Sequence, residues 1–109
     1  MPFAEGNSNG TVDDNATEIV AAPASGKRIV RTMTFYNVDT VDAELEVRFD
    51  NNVNERIICK IALEPGDTLE WGEGNQVLVL GTTDSINANT AILPTTTDLD
   101  WTASYGDST

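Results

Sequence analysis

The run Ala43-Glu44-Leu45-Glu46-Val47-Arg48-Phe49 alternates strictly between apolar and charged side chains. A strand sends successive side chains to opposite faces. Ala43, Leu45, Val47 and Phe49 therefore share one face, and Glu44, Glu46 and Arg48 the other. This is the pattern of a half-buried strand in an antiparallel sheet, dry on one side and wet on the other. It points to an all-β domain and carries no chemistry of its own.

The neighbouring segments extend the same reading. Thr17 to Ala22 reads as a strand ended by Pro23, and Ala24-Ser25-Gly26-Lys27 as a turn. The next strand spans about Arg28 to Asn37. Met33, Phe35 and Asn37 share a face, but Ile29 and Arg31 fall on that face while Val30 lies opposite. A β-bulge near Arg31, or a strand buried on both faces, accommodates this. After the Val38–Asp42 turn and the Ala43–Phe49 strand, Asp50-Asn51-Asn52-Val53-Asn54 reads as a hairpin connection, because Asn and Asp tolerate the left-handed conformation. Glu55 to Leu63 follows, with Ile57, Cys59, Ile61 and Leu63 expected inward. Glu64-Pro65-Gly66-Asp67 is a turn with Pro and Gly at its two central positions.

Further strands are expected at Thr68–Trp71, at Gln76–Leu80, whose apolar run is expected to be buried on both faces or bulged, at Ser85–Ala91 and at Asp98–Tyr105, the last with Leu99, Trp101, Ala103 and Tyr105 on one face. The polar stretch from Thr82 to Thr97 also admits a surface hairpin in place of a core strand. No segment has a helical period. The expected fold is an antiparallel β-sandwich or jelly-roll of about eight strands over residues 17–109. Residues 1–16 are rich in Gly, Asn, Asp and Ser, with Phe3 and Val12 as their sizeable apolar groups. They read as a flexible N-terminal arm, or one that orders on a neighbour.

The 109 residues make one domain, with only 6 % aromatic residues, so the core is built mainly from Val, Ile, Leu and Ala. The formal charge of −12 argues against nucleic acid and anionic membranes as partners, since both would be repelled. With no histidine, a His-based triad or imidazole metal site is impossible. The single cysteine, Cys59, rules out an intramolecular disulfide and reads as a small strand hydrophobe. The N-terminus lacks the basic start and apolar stretch of a signal peptide, and no run approaches a transmembrane helix in length. These features describe a soluble chain made in the cytoplasm.

Candidate sites are few. Asp50 to Asn54 places oxygens at alternate positions like a calcium loop, but Glu55 stands at the glycine position and Ile61 where a bidentate Glu is needed. Asp13-Asp14-Asn15 with Glu18 is a second weak oxygen cluster. Gly72-Glu73-Gly74-Asn75 leads into a strand and lacks a lysine, so it is no phosphate cradle. No activated nucleophile is visible. The chain reads as non-enzymatic, with no catalytic residue, metal or cofactor. Trp71, Trp101 and Tyr105 are core aromatics or interface anchors. Trp71, beside Glu70, Glu73 and Asn75, is also the one candidate platform for a sugar.

The string Ile19-Val20-Ala21-Ala22-Pro23-Ala24-Ser25-Gly26-Lys27-Arg28-Ile29-Val30, then Thr34-Phe35-Tyr36-Asn37-Val38-Asp39-Thr40, resembles small virion proteins of tailed bacteriophages. Val47-Arg48-Phe49-Asp50, Ala62 to Glu70 and Ala103-Ser104-Tyr105-Gly106-Asp107 continue the similarity over residues 17 to 107. The resemblance implies a β-sandwich decoration (cement) protein on the capsid exterior. It would be a homotrimer that contacts the major capsid protein and bridges its subunits. The residues expected to make that interface are Phe3 and Val12 in the arm and Trp101 and Tyr105 in the last strand. The alternative is a carbohydrate- or receptor-binding module of a phage tail or fibre.

Overall fold

The structure is a computed structural model that describes residues 4–13, 15–72, 78–90 and 99–108. Among the described residues nine strands follow one another: β1 (Ala4–Val12), β2 (Thr17–Val20), β3 (Lys27–Asn37), β4 (Ala43–Asp50), β5 (Glu55–Leu63), β6 (Thr68–Trp71), β7 (Leu78–Leu80), β8 (Ser85–Thr90) and β9 (Leu99–Ser108). Every pairing is antiparallel. Sheet A has the order β1-β9-β3-β6, with β7 also paired to β3; sheet B has the order β2-β8-β4-β5. The two sheets pack face to face as a β-sandwich.

The alternation seen in the sequence builds the interior. Met33, Phe35 and Asn37 of β3, Leu45 and Val47 of β4, and Leu99, Trp101 and Ala103 of β9 all point inward and are buried. Each fully buried aliphatic or Phe side chain contributes about 1.5–3 kcal/mol over leaving it exposed. The bulge at Arg31 is present: the β3–β9 register shifts between Val30 and Thr32, which lets Val30 and Met33 both face the core. The outer residues of β4 stay at the surface, as the alternation requires.

Two polar side chains tie the layers together. Asn37, 1 % exposed, donates Nδ2 hydrogen bonds to the carbonyls of Val41 (3.0 Å) and Leu63 (2.9 Å), so β3 of sheet A grips β5 of sheet B. Its Oδ1 accepts from the Asp39 amide at 2.9 Å. Its backbone also bonds Asp67 and Gly66, which sits at φ +87 in the turn before β6. Only glycine takes that φ readily. At the opposite end, Arg28 forks onto Asp107 of β9 (2.7 and 3.0 Å) and donates to the Ala21 carbonyl just beyond β2 at 2.8 Å. Its guanidinium lies 4.1 Å from the centroid of the Tyr105 ring.

Three expectations are changed and one alternative is decided. Ala4–Val12, read as part of an arm, form an outer strand of sheet A in register with β9 from Ala4↔Asp107 to Val12↔Leu99. Backbone pairing along a sheet edge does not require apolar side chains, which is why composition hid it. In β5 only Leu63 of the four expected inward residues is buried. The β4–β5 register shifts beside Arg48, so Ile57 stands opposite that outward residue, and it is 54 % exposed. Ile58 packs on the core alongside Cys59, and Ile61, on an edge strand with no neighbour beyond it among the described residues, is 37 % exposed. Of the two readings of Thr82–Thr97 the strand is the one found: Ser85–Thr90 is an interior strand of sheet B between β2 and β4, with Ile86, Ala88 and Thr90 buried, and not a surface hairpin. Finally, the apolar Leu78–Leu80 stretch alternates in the ordinary way, with Val79 turned outward.

Candidate interaction surface

The outer face of sheet A is assembled by register. One row across the sheet is Thr11, Asp100, Tyr36 and Thr68; the next is Asn9, Thr102, Thr34 and Glu70. A third is Asn7, Ser104 and Thr32. Hydroxyls and amides dominate these rows, and Thr32 and Ser104 share a 2.7 Å hydrogen bond between their hydroxyls. The rows bear two carboxylates, Asp100 and Glu70. At the end of the sheet lie Glu5 and Arg31, 3.6 Å apart. Tyr36 and Val79 are each 43 % exposed on this side. These rows and the pair at their end carry three carboxylates against one guanidinium, a formal charge of −2, and the positions between are uncharged.

Its relief is shallow. A hollow of about 340 Å³ is bounded by Thr32, Thr34, Glu70, Trp71 and Gly72, and a second of about 250 Å³ by Glu5, Gly6, Asn7, Arg31, Ser104 and Tyr105. A third, of about 130 Å³, lies against Thr34, Tyr36 and Thr102. Such a surface suits a broad contact better than the enclosure of one small substrate.

The outer face of sheet B is the opposite in chemistry. Arg48 reaches Glu46 at 2.6 Å and Glu55 at 3.3 Å, and Lys60 reaches Glu44 at 3.3 Å and Glu46 at 3.6 Å. The Lys60 ammonium beside Glu44, with Glu46 behind it, is held above the usual lysine range. Its charges are thus largely satisfied within the face.

The residues singled out in the sequence lie in different surroundings. Val12 is 0 % exposed and Trp101 5 % exposed, both facing the sandwich interior. Their interface reading gives way to a packing one, because strand alternation turns both inward once β1 pairs with β9. Tyr105 is half-buried, stacked beneath Arg28 and packed on the core. Phe3 lies outside the described residues, as do Glu73 and Asn75. Trp71 is half-buried at the edge strand β6 and borders the largest of the three hollows beside Glu70.

The oxygen clusters are used by the backbone. Asp50 Oδ1 accepts from the Asn52 amide, and Asn51 Oδ1 from the amides of Val53 and Asn54, closing the β4–β5 hairpin with Asn52 at φ +70. Asp13 Oδ1 accepts from the Asn15 amide in the same manner. Among the described residues no group of three or more His, Cys, Asp or Glu is placed to hold a metal ion. Burial pushes the Cys59 thiol up, which keeps it protonated near neutrality. The hydroxyl-rich face itself was missed in the sequence, although its signal was present. The β3 positions Thr32, Thr34 and Tyr36 are uncharged where the outward positions of β4 are charged.

No protein-family model and no curated protein matches the chain. Among solved structures the chain is similar to a protein of Bacillus endospore appendages, which are described as forming a novel family of disulfide-linked pili. The identity is 14 %, the TM-score 0.45, and the match covers 99 % of this chain and 93 % of that one.

Proposed function

We propose that the protein is a non-catalytic structural subunit that docks on a larger assembly through the outer face of sheet A. In the reading its motifs favour, that assembly is the head of a tailed bacteriophage. There the protein acts as a capsid decoration (cement) protein, a homotrimer bridging subunits of the major capsid protein on the virion surface.

The observation that carries the docking role is the shallow face of mostly hydroxyls and amides, with only Asp100 and Glu70 charged in its rows, on a chain of net charge −12. Burying ionised groups without partners is costly, whereas hydroxyls and amides exchange water for partner groups at little cost. A ligand that binds only the assembled shell stabilises it by mass action, by about 2.7 kcal/mol per site at a hundredfold excess over Kd. The test is co-sedimentation of the purified protein with expanded capsids and, separately, with tails. Binding to capsids that is lost on Thr34→Arg supports the reading. Absence of the protein from both pellets overturns it.

A second reading is favoured by one feature. Trp71 stays half-buried beside Glu70 in the 340 Å³ hollow, an arrangement in which a sugar ring can stack on an indole while a carboxylate accepts its hydroxyl hydrogen bonds. Glycan-array binding abolished by both Trp71→Ala and Glu70→Gln would establish it in place of capsid docking.

A further inference from the structure

β1 is held differently from the strands it joins. Its outward positions are Glu5, Asn7, Asn9 and Thr11; its inward positions are Gly6, Ser8, Gly10 and Val12. Val12 alone among these adds an apolar side chain to the core. The rest of the strand is fixed by backbone pairing along the edge of β9. Ser8 also reaches across to sheet B, donating from Oγ to the Ile19 carbonyl at 2.7 Å.

The two glycines fit the rings that rise from β9. A Cβ on Gly6 would stand 2.6 Å from Tyr105 Cε2 and 2.8 Å from Cζ, closer than atoms can approach without a shift. A Cβ on Gly10 would stand 3.3 Å from Trp101 Cζ2 and Nε1. Trp101 Nε1 is buried without a hydrogen-bond partner in this slot. The edge of β9 is therefore shaped for a strand with glycine four residues apart and a serine between.

Two features make that strand easy to release and hard to replace. Few apolar contacts hold it, so its opening costs less than that of a core strand. The link to β2, residues 13–16, is short and crosses from sheet A to sheet B, anchored where the Asp13 carbonyl accepts from the Thr90 amide at 2.8 Å. Short connections of this kind favour strand exchange. Exchange between identical chains rebuilds every contact of the closed form, so the balance depends only on the hinge and on chain concentration.

We infer that β1 is an exchangeable strand, and that its partner is the β9 slot of a second copy of this chain, keyed by Gly6 and Gly10. This self-association does not depend on a capsid or on any sugar, so it stands or falls apart from the docking role.

Cross-strand thiols test it in the full chain, in a Cys59→Ala background. Asn9 and Thr102 face one another on the exposed side of the β1–β9 pair. One protein carries Asn9→Cys, another Thr102→Cys, and a third carries both. After mixing the first two at high concentration and oxidising, the expected product is a disulfide-linked heterodimer. Its yield should exceed by at least tenfold that of Asn9→Cys mixed with a Thr83→Cys chain, which measures random collision. Adding Gly6→Val to the Asn9→Cys chain should return the yield to that background. Intrachain closure of the double variant together with a mixed yield at background would overturn the inference. So would failure of the double variant to close in either way, since the slot itself would then be absent.

Discussion

On sheet B, Glu44, Glu46, Arg48, Glu55 and Lys60 form a chain of ion pairs across the outer face. The equivalent positions of sheet A carry Thr32, Thr34, Tyr36, Thr102 and Ser104, with two carboxylates, Asp100 and Glu70, that no cation in the rows pairs, and shallow hollows between them. Both faces cover the same apolar interior, so packing does not account for the difference. A face whose charges are already paired gains little from a partner and loses its hydration on contact. A face of hydroxyls and amides keeps donors and acceptors free to be met from outside. On the proposed reading, the contrast separates a solvated side from a docking side.

The largest effect is expected where the two sheets are joined. Asn37→Leu removes the donor that the Leu63 and Val41 carbonyls share and the acceptor of the Asp39 amide. Each buried group left without a partner costs roughly 1–3 kcal/mol, so the loss should be about 3 kcal/mol or more. Denaturant unfolding should show a lower midpoint at unchanged slope. Docking should weaken as well if the sheet A face relies on sheet B for its shape. A loss under about 1 kcal/mol would show that Asn37 is a bystander and the sheets register through apolar contacts alone.

Next is the Arg28–Asp107 fork, at the other end of the sandwich. Arg28→Ala should cost about 2 kcal/mol, since hydrogen bonds to charged groups are worth roughly 1.5–3 kcal/mol net. The guanidinium beside it holds the Asp107 carboxyl below the usual range, and the same hydrogen bond raises Arg28. A carboxylate with a depressed folded pKa contributes stability that is full above its unfolded value, near pH 4. That stability is lost as pH falls through the folded value. Arg28 stays charged throughout, so the pair fails only on the acid side. Unfolding followed from pH 6 down to pH 2 should show a drop that Asp107→Asn flattens. An unchanged acid profile in that variant would count against the fork as a tie between layers.

These two ties also explain what was legible in the sequence. Strict alternation in Ala43–Phe49 and the triplet Met33, Phe35 and Asn37 encode burial directly, so the sandwich and most strand positions could be read. The motifs that carried the phage resemblance include Arg28 and Asn37, and both serve the architecture. β1 could not be read, because its inward set of Gly, Ser and Gly has no hydrophobic signal and owes its place to rings more than ninety residues away. The exposure of Ile57 was hidden for another reason. It follows from a bulge, which shifts the phase without a marker in composition. The docking face is a property of register between four strands distant in the chain. No single segment displays it.

The direct test of the contrast is a charge placed on each side. Thr34→Arg puts a cation amid the central rows of sheet A, between Thr102 and Glu70. It should weaken capsid docking by at least tenfold, which corresponds to about 1.4 kcal/mol, with stability nearly unchanged. Glu44→Gln on sheet B should leave docking as it was. If the second substitution is the one that releases the protein from the pellet, the roles of the two faces are reversed.

The smallest effect should come from the ion pairs themselves. Arg48 bonds Glu46 and Glu55, yet Glu46 keeps Lys60 at 3.6 Å when Arg48 is gone, so Arg48→Ala leaves one carboxylate re-paired and the other in water. The exposed Arg48–Glu55 pair is worth about 1 kcal/mol or less, and the part-buried Arg48–Glu46 pair is offset on loss of Arg48 by Lys60. The screening length shrinks to about 3 Å at 1 M salt, so even that difference should fade between 0.05 and about 1 M sodium chloride. Docking should not respond to the substitution at either salt. A loss near 2 kcal/mol that persists in high salt would make the network part of the fold's support, as Asn37 and Arg28 are. The charged face would then be a second structural layer, and the pairing of its charges would no longer distinguish it from the side that binds.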